Sequence, residues 1–128
     1  MKLLLDTAIF IWLITNSTRL REEIYGMIQD PGNEVFLSIA SLWEAVIKDQ
    51  LGKLPLPRPA HLYIPEERRL HQIGSLDISE AAIARIAELP NHHKDPFDRI
   101  IVCQALEHDM TIVTNDPLIR KYPVRCLG

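Results

Sequence analysis

The sequence predicts an α/β fold, a three-layer α/β/α sandwich around a mainly parallel sheet, on three observations. Leu3–Leu5, Val35–Leu37 and Thr111–Val113 are apolar runs of strand length with no polar alternation, as in strands covered on both faces. The segments between them place apolar residues at helical spacing. Proline, glycine and small polar residues mark the boundaries of both kinds. Short apolar strands alternating with helices are the pattern of a parallel sheet.

Taken in order, Leu3-Leu4-Leu5 is a strand that stops at Asp6-Thr7, and Ala8 to Ile14 is an apolar helix broken by Asn16-Ser17-Thr18. Arg19 to Asp30 carries Leu20, Ile24, Met27 and Ile28 at helical spacing and ends at Pro31-Gly32-Asn33. Glu34 to Ser38 is the second strand. Ser41 to Leu51 is a helix closed by Gly52, and Lys53 to Pro59 is a proline-rich loop. Ala60 to Gln72 is a helix with the basic pair Arg68-Arg69, followed by a brief strand over Ser75 to Ile78. Ser79 caps a helix that runs to about Leu89. Pro90 to Pro96 is a polar loop, Asp98 to His108 a helix, Thr111 to Val113 a strand, and Val124 to Leu127 a last edge strand.

The chain has 128 residues, one domain's worth, spanning residues 1–128 without an internal repeat or linker. Apolar residues make up 47% and charged residues 24%, which excludes a disordered tail or a collagenous repeat. No apolar run approaches the roughly 18 residues of a membrane span. Asp6 interrupts the N-terminal leucines too early for a signal peptide, so the expected location is cytoplasmic. Cys103 and Cys126 lie far apart and suggest neither a disulfide framework nor a zinc site. The net charge of −3, from 14 basic and 17 acidic residues, argues weakly against coating nucleic acid by bulk attraction. Four acids committed to a metal would leave 14 basic residues against 13 acidic, so a nucleic-acid substrate stays open.

The positions of those acids are informative. Asp6 and Asp116 each follow an apolar strand, and Glu44 and Asp98 each sit in the first turn of a helix. Strand C-termini and the helix N-termini after them share one rim of an open parallel sheet, where ligands bind. Four converging carboxylates repel one another unless a cation neutralises them, and oxygen ligands suit Mg²⁺ or Mn²⁺. Such a site activates water for phosphodiester hydrolysis. Each acid also has a plainer reading. Ser41-x-x-Glu44 fits a capping box, Asp98 complements a helix dipole, and Asp116 before Pro117 fits a turn. Asp6, between apolar segments, wants a partner. Thr114 is a hydroxyl placed to orient a carboxylate or water, and Asp95 is an extra acid or a loop residue.

His92 and His93 are adjacent and lack a cysteine, so the loop reads as solvated, with phosphate contact by Lys94 or His93 as a second role. Arg68-Arg69 and Arg120-Lys121 read as solvated faces, and Trp12 and Trp43 as core or interface residues.

At these residues the chain resembles the PIN-domain ribonucleases of the VapC toxin type. Leu4-Leu5-Asp6-Thr7 with Trp12 is similar to the first family motif. Ser38-Ile39-Ala40-Ser41-Leu42-Trp43-Glu44, continuing through Lys48 to Gly52-Lys53-Leu54, is similar to the second. His93-Lys94-Asp95-Pro96-Phe97-Asp98-Arg99, running on to Gln104-Ala105, resembles the third, and Thr114-Asn115-Asp116 the fourth. The resemblance implies that Asp6, Glu44, Asp98 and Asp116 bind Mg²⁺ or Mn²⁺, with Thr114 in support. It further implies cleavage of structured RNA (tRNA or rRNA), silencing by a cognate VapB-type antitoxin, and a homodimer. Ala8 departs from the pattern, standing where relatives often carry histidine.

Two other classes are weaker. A receiver domain wants paired acids after its first strand and a lysine after its last, and an aspartyl phosphatase wants Asp-x-Asp; Asp6-Thr7-Ala8 gives neither. A non-cleaving RNA- or protein-binding module of the same fold is the alternative to a nuclease.

Overall fold

A computed structural model of the chain describes residues 1–128. Its strands are β1 (Lys2–Leu5), β2 (Glu34–Ser38), β3 (Gly74–Leu76), β4 (Thr111–Val113) and β5 (Cys126–Leu127). Its helices are α1 (Thr7–Ile14), α2 (Glu22–Gln29), α3 (Ile39–Gln50), α4 (Ala60–Leu70), α5 (Glu80–Arg85) and α6 (Pro96–His108). The five strands form one sheet in the order β3-β2-β1-β4-β5, every pair parallel. This is the expected parallel α/β sandwich.

Side-chain alternation along the strands divides the interior into two layers. Leu3 and Leu5 of β1, with Val35, Leu37 and Val113, pack beneath α1, α2 and α4. Leu4, with Ile112, faces the opposite side against α5 and α6. All three leucines are fully buried, as an uninterrupted apolar run at the sheet centre requires, and each contributes roughly 1.5–3 kcal/mol by leaving water. Helix α3 leaves β2 without a loop and joins the layers, with Ala45 in the first cluster and Ala40 in the second.

Four helices end on a left-handed residue, α6 at Asp109 (φ 54°) with Met110 N bonded to Ala105 O at 2.9 Å, and α1, α3 and α4 in one common way. Asn16 (φ 53°), Gly52 (φ 71°) and Gln72 (φ 57°) are left-handed and end α1, α3 and α4. At each, two amides turn back onto the last carbonyls: Ser17 N to Trp12 O, Lys53 N to Lys48 O, and Ile73 N to Arg68 O, all at 2.9 Å. The chain therefore reverses sharply, which α4 shows by stopping at Leu70 rather than Gln72. Helix α2 starts at Glu22 rather than Arg19. Gly74 begins β3 because a Cβ there would lie 2.8 Å from the Phe36 ring. Ser79 caps α5 through Ala82 N at 3.1 Å, but α5 gives way to a 3₁₀ turn over Ile86–Glu88. Strand β5 is shorter than expected, only Cys126–Leu127. No helix is long and apolar enough to cross a membrane.

Candidate active site

Strand order reverses beside β1, whose neighbours β2 and β4 lead to opposite ends of the sheet. Such a switch point opens a crevice at the strand C-termini. A cavity of about 470 Å³ lies there, lined by Asp6, Glu44, Asp95, Asp98 and Asp116, and by Trp12, Lys48 and Lys53.

Asp6 continues β1, its amide donating to Val113 O at 2.9 Å, and is 6% exposed. It holds the N-cap position of α1 yet makes no capping hydrogen bond. Its Oδ2 instead accepts from the Thr114 hydroxyl at 2.7 Å. Burial pushes its carboxyl above the usual range; the Thr114 hydroxyl and the Ala8 amide offset this, while Asp116 and Glu44 add to it. Thr114, fully buried, also accepts from the Asp116 amide at 3.0 Å. One hydroxyl thus ties the first acid to the last.

Glu44 corrects the capping-box reading. Helix α3 begins two residues earlier than expected, with Ser38 as its cap accepting from Ala40 N at 3.0 Å. Ser41 lies inside the helix and accepts from the Thr7 hydroxyl at 2.8 Å. Glu44 is therefore free of capping. Its Oε2 accepts from Lys48 Nζ at 2.6 Å, one turn on, and its Oε1 is buried with no partner. That bond raises the Lys48 ammonium against the opposing effect of burial. The Schellman reversal at Gly52 brings Lys53 back to the same cavity.

Helix α6 starts at Pro96, not Asp98, because Asp95 is its cap, accepting from Phe97 N at 2.9 Å, and proline suits the first helical position. Asp98 still falls in the first turn. Its side chain is 13% exposed, and burial first, then Asp6, Asp95 and Glu44, push its carboxyl up to about 7; His93 acts the other way. Asp116 both caps its turn, Oδ1 accepting from Leu118 N at 2.8 Å, and faces the cavity.

His93 is the residue that sequence reasoning missed, since its polar neighbours suggest a solvated loop. Its Nε2 lies 3.0 Å from Asp98 Oδ2 and 2.9 Å from Asp116 Oδ2, with only 14% of its side chain exposed. These three atoms lie close enough to share an ion. The ring's other nitrogen sets the tautomer. Nδ1 accepts from the Asp95 amide at 3.1 Å, which leaves the ring proton on Nε2, directed at the carboxylates. In this tautomer His93 donates toward the two acids and positions them. Tyr122 and Arg99 hold it there: the Tyr122 hydroxyl accepts from His93 N at 2.8 Å, and Arg99 donates to Pro90 O at 3.0 Å. His92 turns away, packing edge-on to Tyr122 at 5.1 Å. The local signal for His93 was its place two residues before the Asp95 cap; nothing local pointed to Tyr122. Trp43 is not core either: it is 62% exposed, edge-on to Phe97 at 5.1 Å. Arg120, read as a solvated side chain, donates to Thr114 O at 3.2 Å.

A divalent cation fits this set. Oxygen donors from four separate elements face one cavity, Glu44 Oε1 is an unused buried acceptor, and burial together with the neighbouring acids holds the Asp98 carboxyl up.

A family model described as PIN domain matches residues 3–124. Ribonuclease VapC16 of Mycobacterium tuberculosis is 39% identical to the chain over 62 residues, 48% of this chain and 44% of that protein. The chain thus matches less than half of that relative's length. In fold it is similar to VapBC2 from Rickettsia felis bound to a DNA fragment from their promoter, with a TM-score of 0.72 at 16% identity over 99% of this chain and 98% of that one. It is similar also to VapBC-1 from nontypeable Haemophilus influenzae, at 0.69 and 19% identity over 100% and 98%.

Proposed function

Because the chain belongs to the PIN domain family, we propose that it is a metal-dependent endoribonuclease toxin of the VapC type, cutting phosphodiester bonds in structured RNA, tRNA or rRNA. The observation that carries this reading is the buried, unpartnered Glu44 Oε1 in a cavity lined by four further acids. The 39% identical relative is a ribonuclease, which supports the same chemistry.

Asp6, Glu44, Asp98 and Asp116 would hold Mg²⁺ or Mn²⁺. When bound, the ion supplies an activated water and charge stabilisation at the leaving oxygen. The chain's own residues do the rest. Thr114 fixes the orientation of Asp6 and the turn of Asp116. His93 Nε2–H holds Asp98 and Asp116 at one separation before any cation arrives. Lys48 occupies Glu44 Oε2, leaving Oε1 as the free donor. Asp98, its carboxyl pushed up to about 7 by burial and the neighbouring acids, is about half protonated at neutral pH, and a cation beside it would favour the ionised form. Asp95 acts through the start of α6, which aims Asp98.

A VapB-type antitoxin is the proposed partner, supported by structural neighbours that are VapBC proteins, and the toxin is read as a cytoplasmic homodimer. The test is cleavage of a mixed tRNA and rRNA pool by antitoxin-free protein with Mg²⁺ or Mn²⁺, with EDTA, and with Asp98→Asn. Discrete fragments that vanish in both controls are expected. RNA binding without cleavage, unchanged by Asp98→Asn, would instead establish the non-cleaving module. Light scattering that shows only a 14.7 kDa monomer would remove the dimer.

A further inference from the structure

A second cavity, of about 230 Å³, adjoins the acidic one, and Trp12 and Asn115 line both. Arg19 and Arg21 line it but not the acidic cavity. The reversal at Asn16 brings them there, since it folds the chain back over the Trp12 carbonyl. Both arginines are exposed, and neither guanidinium makes a hydrogen bond or ion pair, although Glu22 and Glu23 follow directly. Arg21 takes the N-cap position of α2, offers no cap, and opposes the helix dipole. The fold gains nothing from a cation at that point. Asn115 is likewise exposed, with no hydrogen bond from its side chain.

We propose that Arg19 and Arg21 form a subsite for a backbone phosphate of single-stranded RNA next to the cleaved bond, with the flanking base stacked on Trp12 between the two cavities. This rests on the nuclease reading and names its substrate as an unpaired segment. Guanidinium groups match phosphate oxygens, and an aromatic face accepts any unstacked base. Bases inside a duplex are already stacked and cannot reach Trp12. Asn115 offers the amide that contacts a base edge or ribose at the boundary.

The test uses the full chain with Asp98→Asn, so that the strand is not cut, and Trp43→Phe, which leaves Trp12 as the sole tryptophan. The probes are a short single-stranded RNA and its duplex. The single strand is expected to quench Trp12 emission and the duplex to leave it unchanged. Arg19→Gln with Arg21→Gln should flatten the dependence of log affinity on log salt by about 0.7 for each phosphate that the variant no longer neutralises. Trp12→Leu should weaken single-strand binding about 5- to 150-fold, with Trp12→Phe restoring most of it. Unquenched emission, or an unchanged salt slope in the arginine variant, would overturn the subsite. So would an acidic peptide that needs Arg19 and Arg21 while RNA binding ignores them, since that gives the cleft to a protein. The parent reading fails separately: a chain with native Asp98 that neither binds nor cuts RNA in Mn²⁺ sinks it. Cleavage by the arginine variant with an unchanged KM sinks the subsite alone.

Discussion

Replacing Asp98 by asparagine should stabilise the metal-free protein while abolishing its response to metal. The Asp98 carboxyl stands near 7 in the folded chain against an ordinary 3.8. Its folded pKa is raised, so between about pH 4 and 7 the folded state holds a proton that the unfolded state has released. Stability of the native chain therefore falls as pH rises through that window and levels off above it. A shift of about three pKa units corresponds to ~4 kcal/mol. Partial solvent contact and the sharing of repulsion with Asp6, Asp95 and Glu44 reduce this to ~1–2 kcal/mol. Asparagine keeps the shape and carries no charge. In EDTA at pH 8 the variant should melt about 3–10 °C higher than the native chain, and the advantage should vanish near pH 4. In Mn²⁺ the order should reverse: the native chain gains ~2.7 kcal/mol at a hundredfold excess over Kd, and the variant little. Thermal melts across pH 4 to 8, with EDTA and with Mn²⁺, read both effects. A variant less stable at every pH, or one that gains as much from Mn²⁺ as the native chain, would refute the electrostatic account.

Three further outcomes are expected. Thr114→Val removes the donor to Asp6 and the acceptor for Asp116 N, and should cost ~1–3 kcal/mol and weaken metal binding about 10- to 100-fold; denaturant melts and metal titration check it, with Thr114→Ser as the rescue. His93→Ala should lower kcat while leaving the ratio of Mg²⁺ to Mn²⁺ affinities unchanged, because its Nε2 carries a proton; a selective loss of Mn²⁺ binding would make it a ligand after all. Lys48→Met leaves Glu44 buried without its partner and should cost ~1–3 kcal/mol in EDTA, a loss that Mn²⁺ recovers in a thermal melt.

The parallel architecture was legible because the apolar runs at Leu3–Leu5 and Thr111–Val113 carry their own signal of two-sided burial. The common rim of Asp6, Asp98 and Asp116 followed from strand and helix ends alone, whereas Glu44 lies in the second turn of α3, not the first, and reaches the cavity from inside the helix. Helix starts were harder to place. Ser38 and Ser41 are equally good caps by type, and only the absence of a loop after β2 selects Ser38. Pro96 likewise reads as loop until Asp95 is seen to cap it. His93 was out of reach because its position depends on Tyr122 and Arg99, and the bond to Tyr122 spans 29 residues that no local pattern connects.

The bond from Thr114 to Asp6 joins residues 108 apart, and it has a consequence in time as well as space. A ribosome that has delivered the first hundred residues has already made Asp6, Glu44 and Asp98, yet β1 still lacks β4 and Asp6 lacks its hydroxyl. The centre of the sheet is laid down first and closed nearly last. Asp6 therefore gains its hydroxyl partner, and β1 its second neighbour, only when the last fifth of the chain has docked.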